Sequence, residues 1–195
     1  MSKTKLTSVD IIMLLLYSPG YTGKFREPIE GRTKLTKMLF IFEKEILKDF
    51  IDDKIEYNDD LFFFAAWNFG PMSFKAFKDV DFLKNIDFVT TSYQNNADVL
   101  TYEEISEFND YAEKELDTKP LEYTLEHFEI SDKGVQFLQQ KNKYEALSDN
   151  QKEILAAFKS RYNKAKLRDI LRYVYTKYPE FTEKSVIKDK VLKGY

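Results

Sequence analysis

The segment Gly31-Arg32-Thr33-Lys34-Leu35-Thr36-Lys37 gathers cations where the pattern opens a helix. Free backbone N–H groups and the helix dipole favour an anion at such an end, which makes Arg32, Lys34 and Lys37 candidates to neutralise a phosphate. The plainer alternative pairs Arg32 with an acid of the preceding loop and leaves the lysines solvated. A second candidate is the helix launched at Ser73, whose expected outer face carries Ser73, Lys75, Lys78, Asp79 and Lys84. Its lysines suit a phosphate backbone. However, no Arg, Asn or Gln stands in it before Asn85 to make bidentate base contacts, and Asp79 and Asp81 repel phosphate. A protein partner is therefore a serious rival, with Trp67, Phe69 and Phe74 as its apolar anchors. The third candidate is the run Lys159, Arg161, Lys164, Lys166, Arg168, Arg172 and Lys177, interleaved with Tyr162, Tyr173, Tyr175 and Tyr178. Such interleaving suits nucleic acid, and it equally suits a helical pair docked on an acidic body.

Other chemistries are poorly provided for. The chain has no cysteine and a single histidine, His127, so thiolate metal sites, disulfides and histidine clusters are excluded. His127 lies in a strand-like stretch with no nucleophile motif beside it. Asp52/Asp53 and Asp59/Asp60 could hold Mg²⁺, but adjacent acids in an Asn/Asp-rich connection are ordinary turn formers. Gly20, Gly23 and Gly31 match neither the Walker nor the dinucleotide spacing. The expectation is a non-enzymatic protein with no cofactor and no metal. The apolar run Ile11 to Leu16 is too short to span a membrane and fits a buried first helix in a cytoplasmic protein.

Charge is unevenly spread. Residues 1–140 hold 16 Lys+Arg against 26 Asp+Glu, whereas residues 141–195 hold 14 against 7. A basic end on an acidic body calls for an anionic partner, which can be nucleic acid, an acidic protein or the body itself.

The elements that must position these groups follow from periodicity. A first helix runs from a cap at Thr7 or Ser8 to Tyr17 and breaks at Ser18-Pro19-Gly20. A second covers Thr33 to Phe50, with Leu35, Met38, Leu39, Phe42 and Ile46 as one inward stripe. Leu61 to Trp67 reads as a strand ending at Gly70-Pro71, and a helix follows over Phe74 to Leu83. Strands are expected over Ile86 to Thr91 and Tyr123 to Ile130, the latter closing on a turn at Ser131 to Gly134. Thr101 opens another helix by a capping-box pattern with Glu104. Helices are further expected after Ser148-Asp149, over Leu167 to Tyr178, and from near Thr182 to Leu192.

Pro28 to Phe40 resembles the Lys-Leu-x-Lys helix of the YwgA-like prokaryotic family, and Trp67-Asn68-Phe69-Gly70-Pro71-Met72-Ser73 resembles its aromatic-Gly-Pro turn. Leu171 to Thr182, reading through Tyr173-Val174-Tyr175 and Tyr178-Pro179-Glu180-Phe181, is similar to that family's ending. The first two landmarks also resemble the SocA-like (Panacea) antitoxin domain, over about the first half of the chain. Asn68 and Met72 depart from the residues usual in the turn. The resemblance implies a non-enzymatic, winged-helix-related protein linked to toxin neutralisation or mobile-element contexts, and it carries no catalytic residue over.

The expected fold is α+β, mostly α: a winged helix-turn-helix-like body over 1–140 with a basic helical extension over 147–195. The expected function is a regulatory binder, either a DNA-binding transcriptional regulator or antitoxin-like. Double-stranded DNA would meet Arg32, Lys34, Lys37, Ser73, Lys75, Lys78, Arg168 and Arg172. The rival is a module that masks a toxin or other protein through Trp67, Phe69 and Phe74. A homodimer stays open, and no membrane is expected.

Overall fold

The computed structural model describes residues 4–50, 55–56, 61–94 and 125–193. Asp52/Asp53, Asp59/Asp60, the loop tip at Asn95-Asn96 and the helix expected from Thr101 lie outside them. The architecture is α+β and mostly helical.

Helix α1 (Ser8–Tyr17) begins where expected, because Thr7 and Asp10 cap each other: the Asp10 amide reaches the Thr7 hydroxyl at 3.2 Å and the Thr7 amide reaches the Asp10 carboxylate at 2.9 Å. Ile11 to Leu16 are buried on every side, so α1 is a core helix with no solvent face. It packs chiefly against α4 (Phe74–Asn85), β7 (Leu125–Ile130), α5 (Asp132–Gln140) and α6 (Asp149–Lys164).

Helix α2 (Arg32–Ile41) continues through a π turn (Phe42–Ile46) into α3 (Leu47–Phe50). One rod therefore occupies the span expected over Thr33 to Phe50. The expectation of a single inward stripe is corrected, because all ten residues of α2 are buried. Among the described residues, β2 (Ile29–Glu30), β5 (Gly70–Met72), α4 and α7 (Leu167–Lys177) close around it.

The main sheet is antiparallel, in the order β2, β7, β6 (Val89–Gln94), with Ile29 opposite Phe128 and Val89 opposite Ile130. A second pair, β4 (Ala65–Trp67) and β5, forms a hairpin whose tip is Asn68-Phe69. A short parallel pair joins β1 (Thr4–Lys5) to β3 (Ile55–Glu56). Two strand boundaries move from the sequence reading for the same reason. Phe63 at φ 53° and Asp87 at φ 60° leave the extended region, so β4 starts only at Ala65 and β6 only at Val89.

Ser131 caps α5, so the expected turn at Ser131 to Gly134 is the start of a helix. A Cβ on Gly134 would stand 2.4 Å from the Phe88 carbonyl oxygen, and the missing side chain lets α5 lie against the strand. Ser148 and Gln151 form the capping box of α6. Helix α7 stops before Pro179, and a 3-10 turn (Pro179–Phe181) follows. The last helix, α8 (Lys188–Lys193), is shorter than the one expected from Thr182.

One continuous apolar cluster holds these layers together, joining Ile11, Leu39, Phe42, Phe128, Leu155, Phe158, Ile170 and Val174. The helices after residue 147 thus share the core of the body. Rings meet edge-on within it, Phe42 with Phe50 and Phe158 at 5.5 Å, and Phe40 with Tyr178 and Phe181 at 5.0 Å. The abundant aromatics serve packing here.

Candidate functional site

The expected phosphate cluster of Arg32, Lys34 and Lys37 lies inside the protein. The Arg32 guanidinium donates from Nε to Glu126 at 3.0 Å and from Nη1 to Asp81 at 2.9 Å, and lies 5.2 Å from the Phe77 ring centroid and 5.5 Å from that of Phe128. Lys84 closes the set with 2.9 Å to the second Glu126 oxygen. Burial alone would raise the Glu126 pKa, but Arg32 and Lys84 outweigh it and hold the carboxylate below its usual range. Burial opposes the Arg32 charge as well, and Glu126 and Asp81 together keep it. This network pins the start of α2, the middle of α4 and strand β7 to one another, so it positions α4.

Lys34 donates to the Asn163 carbonyl at 2.6 Å and Lys37, fully buried, to the Pro71 carbonyl at 3.0 Å. Lys34 thereby ties α2 to the end of α6, and Lys37 ties it to the Gly70-Pro71 strand. Thr36 returns its hydroxyl to the Arg32 carbonyl at 2.9 Å.

Helix α4 is set by its cap. The Ser73 hydroxyl accepts from the Ala76 amide at 2.9 Å and donates to the Phe62 carbonyl, so Ser73 is buried and spent on structure. Ala76, Phe77, Val80 and Leu83 face inward. The opposite stripe runs Phe74, Lys78, Phe82, Asn85, and Phe82 is 51% exposed. Beside it, Lys75 meets Asp79 at 2.7 Å and the Ser8 hydroxyl at 2.6 Å, so its charge is answered within the protein. Trp67 and Phe74, both half-buried, meet edge-on at 5.2 Å over Met72 and Phe77. Phe69 points into the core. Phe63, next to the Phe62 carbonyl that binds Ser73, is 66% exposed despite its left-handed backbone. A bulky residue held in that region costs on the order of 1–3 kcal/mol. Aromatic side chains thus edge the start of α4, and Phe82 extends them along it.

The C-terminal run divides by direction. Lys159 is fully buried and donates to the carbonyls of Leu16 and Ser18, each at 2.8 Å, capping the end of α1. Burial lowers its pKa to about 7 against the pull of Glu27 and Glu129. Tyr175 and Tyr162 are buried, whereas Tyr173 and Tyr178 are half-buried and donate to the Glu45 carboxylate at 2.8 and 2.9 Å, joined by Lys177 at 3.1 Å. Burial would raise the Glu45 pKa, and these donors bring it below the ordinary value. Arg161, Lys164, Lys166, Arg168 and Arg172 face outward. Arg168 and Arg172, two of the residues expected to meet nucleic acid, belong to this exposed set.

The β4–β5 turn is held from behind. Gly70, at φ 86°, lies so close to the Tyr175 ring that a Cβ would meet it at 2.9 Å. The Val186 amide donates to the Asn68 carbonyl at 2.9 Å, and the Tyr175 hydroxyl bonds Ser185 at 2.8 Å.

Sequence reasoning missed Asp81 and Glu126 as partners of Arg32, and Glu45 as the acceptor of the tyrosines. Asp81 carried one signal, an acid flanking the inward residues Val80 and Leu83. Among the described residues, no three His, Cys, Asp or Glu side chains gather as a metal site, and no helix is long and apolar enough to cross a membrane. The chain matches no family model, no curated protein and no solved structure.

Proposed function

We propose that the chain is a non-enzymatic regulatory binding protein on a winged-helix frame, and that the partner met by α4 is a protein. The element order supports the frame: helix α1, strand β2, helices α2 and α4, strands β6 and β7, with the sheet ordered first, third, second. In that frame α4 is the helix that would enter a DNA groove. The outer stripe of α4 carries the choice of partner. Phe74, Lys78, Phe82 and Asn85 line it, Lys75 and Lys84 are paired with Asp79 and Glu126, and Phe82 is half in water. A groove-reading face needs several free cations and bidentate donors, whereas an exposed Phe82 in line with half-buried Phe74, on a helix whose three lysines are nearly balanced by two aspartates, suits the apolar centre of a protein interface. Masking of a toxin is the form of this function that the SocA-like resemblance suggests.

Affinity capture from the native host, with and without nuclease, tests the proposal. A stoichiometric protein partner should survive nuclease, be lost with Phe82→Glu and be retained with Lys78→Glu. Loss of the partner on nuclease treatment, or indifference to Phe82→Glu, refutes it.

A further inference from the structure

We propose that the corner where α6 runs into α7 docks the sugar-phosphate backbone of a nucleic-acid duplex. Arg161 and Lys164 are three apart on one helical face, and Arg168 and Arg172 are four apart on the next, so each pair is adjacent. Ala165 and Lys166 alone separate the two helices, and chain length holds Lys164, Lys166 and Arg168 within about 14 Å. Asp169 is the single acid between residues 161 and 172, and it lies 3.6 Å from Arg168. Among the described residues, Arg161, Lys164, Lys166 and Arg172 make no ion pair. The patch is therefore a block of exposed positive charge with one partial counter-charge.

What the corner lacks narrows its partner. The large apolar side chains exposed elsewhere, among them Phe63, Phe82 and Val186, have no counterpart between residues 152 and 178. Without such a side chain the corner has nothing to insert into a bilayer and no buried anchor for a protein interface. The tyrosines of the run are turned inward, buried or bonded to Glu45, so no exposed ring offers bases a stacking platform, and single strands are disfavoured. Closely spaced cations without rings or apolar anchors match the dense phosphate charge of a duplex, about one per 1.7 Å of axis. This site is separate from the α4 surface and stands whether or not that surface binds protein.

The test is fluorescence anisotropy of the full chain with a random-sequence 24-base-pair DNA duplex, the equivalent RNA duplex and phosphatidylserine vesicles, across a salt titration. Neutralising four or five phosphates predicts a log–log salt slope of about −3.6 to −4.5 on whichever duplex fits. Arg168→Gln/Arg172→Gln should make the slope shallower by about 1.8, and Arg161→Gln/Lys164→Gln, on the other helix, should do the same. Lys78→Gln on α4 should leave it unchanged. Absence of duplex binding at 50 mM salt, a slope indifferent to both double variants, equal sensitivity to Lys78→Gln, or binding to the vesicles alone would each overturn the proposal.

Discussion

Arg32, Lys34 and Lys37 on one side, and Arg161, Lys164, Lys166, Arg168 and Arg172 on the other, are cations of the same kinds at similar spacing, yet they meet opposite fates. The first group is buried and answered by carboxylates and carbonyls, and the second stands in water. The difference lies in what surrounds the helix. Strands and helices enclose α2, so any side chain on it must find an internal partner or pay several kcal/mol for an unpaired charge. The outer face of α6 and α7 carries no such obligation. A cation cluster in sequence is therefore evidence of an anion, and burial decides whether that anion belongs to the protein itself.

The sharpest way to break this contrast is Arg32→Ala. It strips Glu126 and Asp81 of their shared cation, and unfolding by urea should show a loss of about 3–5 kcal/mol. Arg32→Lys should recover only part of it, because an ammonium cannot span both carboxylates as the guanidinium fork does.

Lys159→Met comes next, leaving the Leu16 and Ser18 carbonyls without their donor at a cost of about 1–3 kcal/mol. It also carries a pH signature. The folded-state pKa of about 7 lies below the ordinary lysine value, so between them the unfolded chain holds a proton that the folded chain does not. Stability of the parent protein should rise with pH from about 7 towards 10, and Lys159→Met should flatten that rise. An unchanged slope between pH 7.5 and 9.5 would place the Lys159 charge elsewhere.

At the small end, Arg172→Gln and Phe82→Ser should move stability by less than about 0.5 kcal/mol, since both side chains project from exposed faces. A larger loss for either would mean that its face is already occupied within the protein.

Local signals carried much of the fold. Thr7, Ser73 and Ser148 are caps recognisable from residue type and the apolar pattern behind them, and α1, α4, α6 and α7 begin beside them or run close to their expected bounds. What stayed hidden was long-range. Glu126 lies 94 residues from Arg32 and Glu45 lies 128 from Tyr173, so no window along the chain joins them. The same gap concealed the closure around α2, because periodicity reports one apolar stripe and is silent about neighbours that cover the polar flank. Phe69, expected as an anchor for a partner, is instead taken up by the core, again through a long-range contact. It sits at a hairpin tip, ordinarily an exposed place, but here the tip folds back against the core.

The contact of Gly70 with Tyr175, together with the Val186–Asn68 bond, makes the C-terminal segment a latch on the hairpin from which α4 departs. Trimming the chain from Ser185 onwards would therefore be felt some hundred residues upstream, as faster amide exchange at the hairpin and a looser seat for Trp67. Protease sensitivity near the carboxyl end should rise as the integrity of the α4 surface falls.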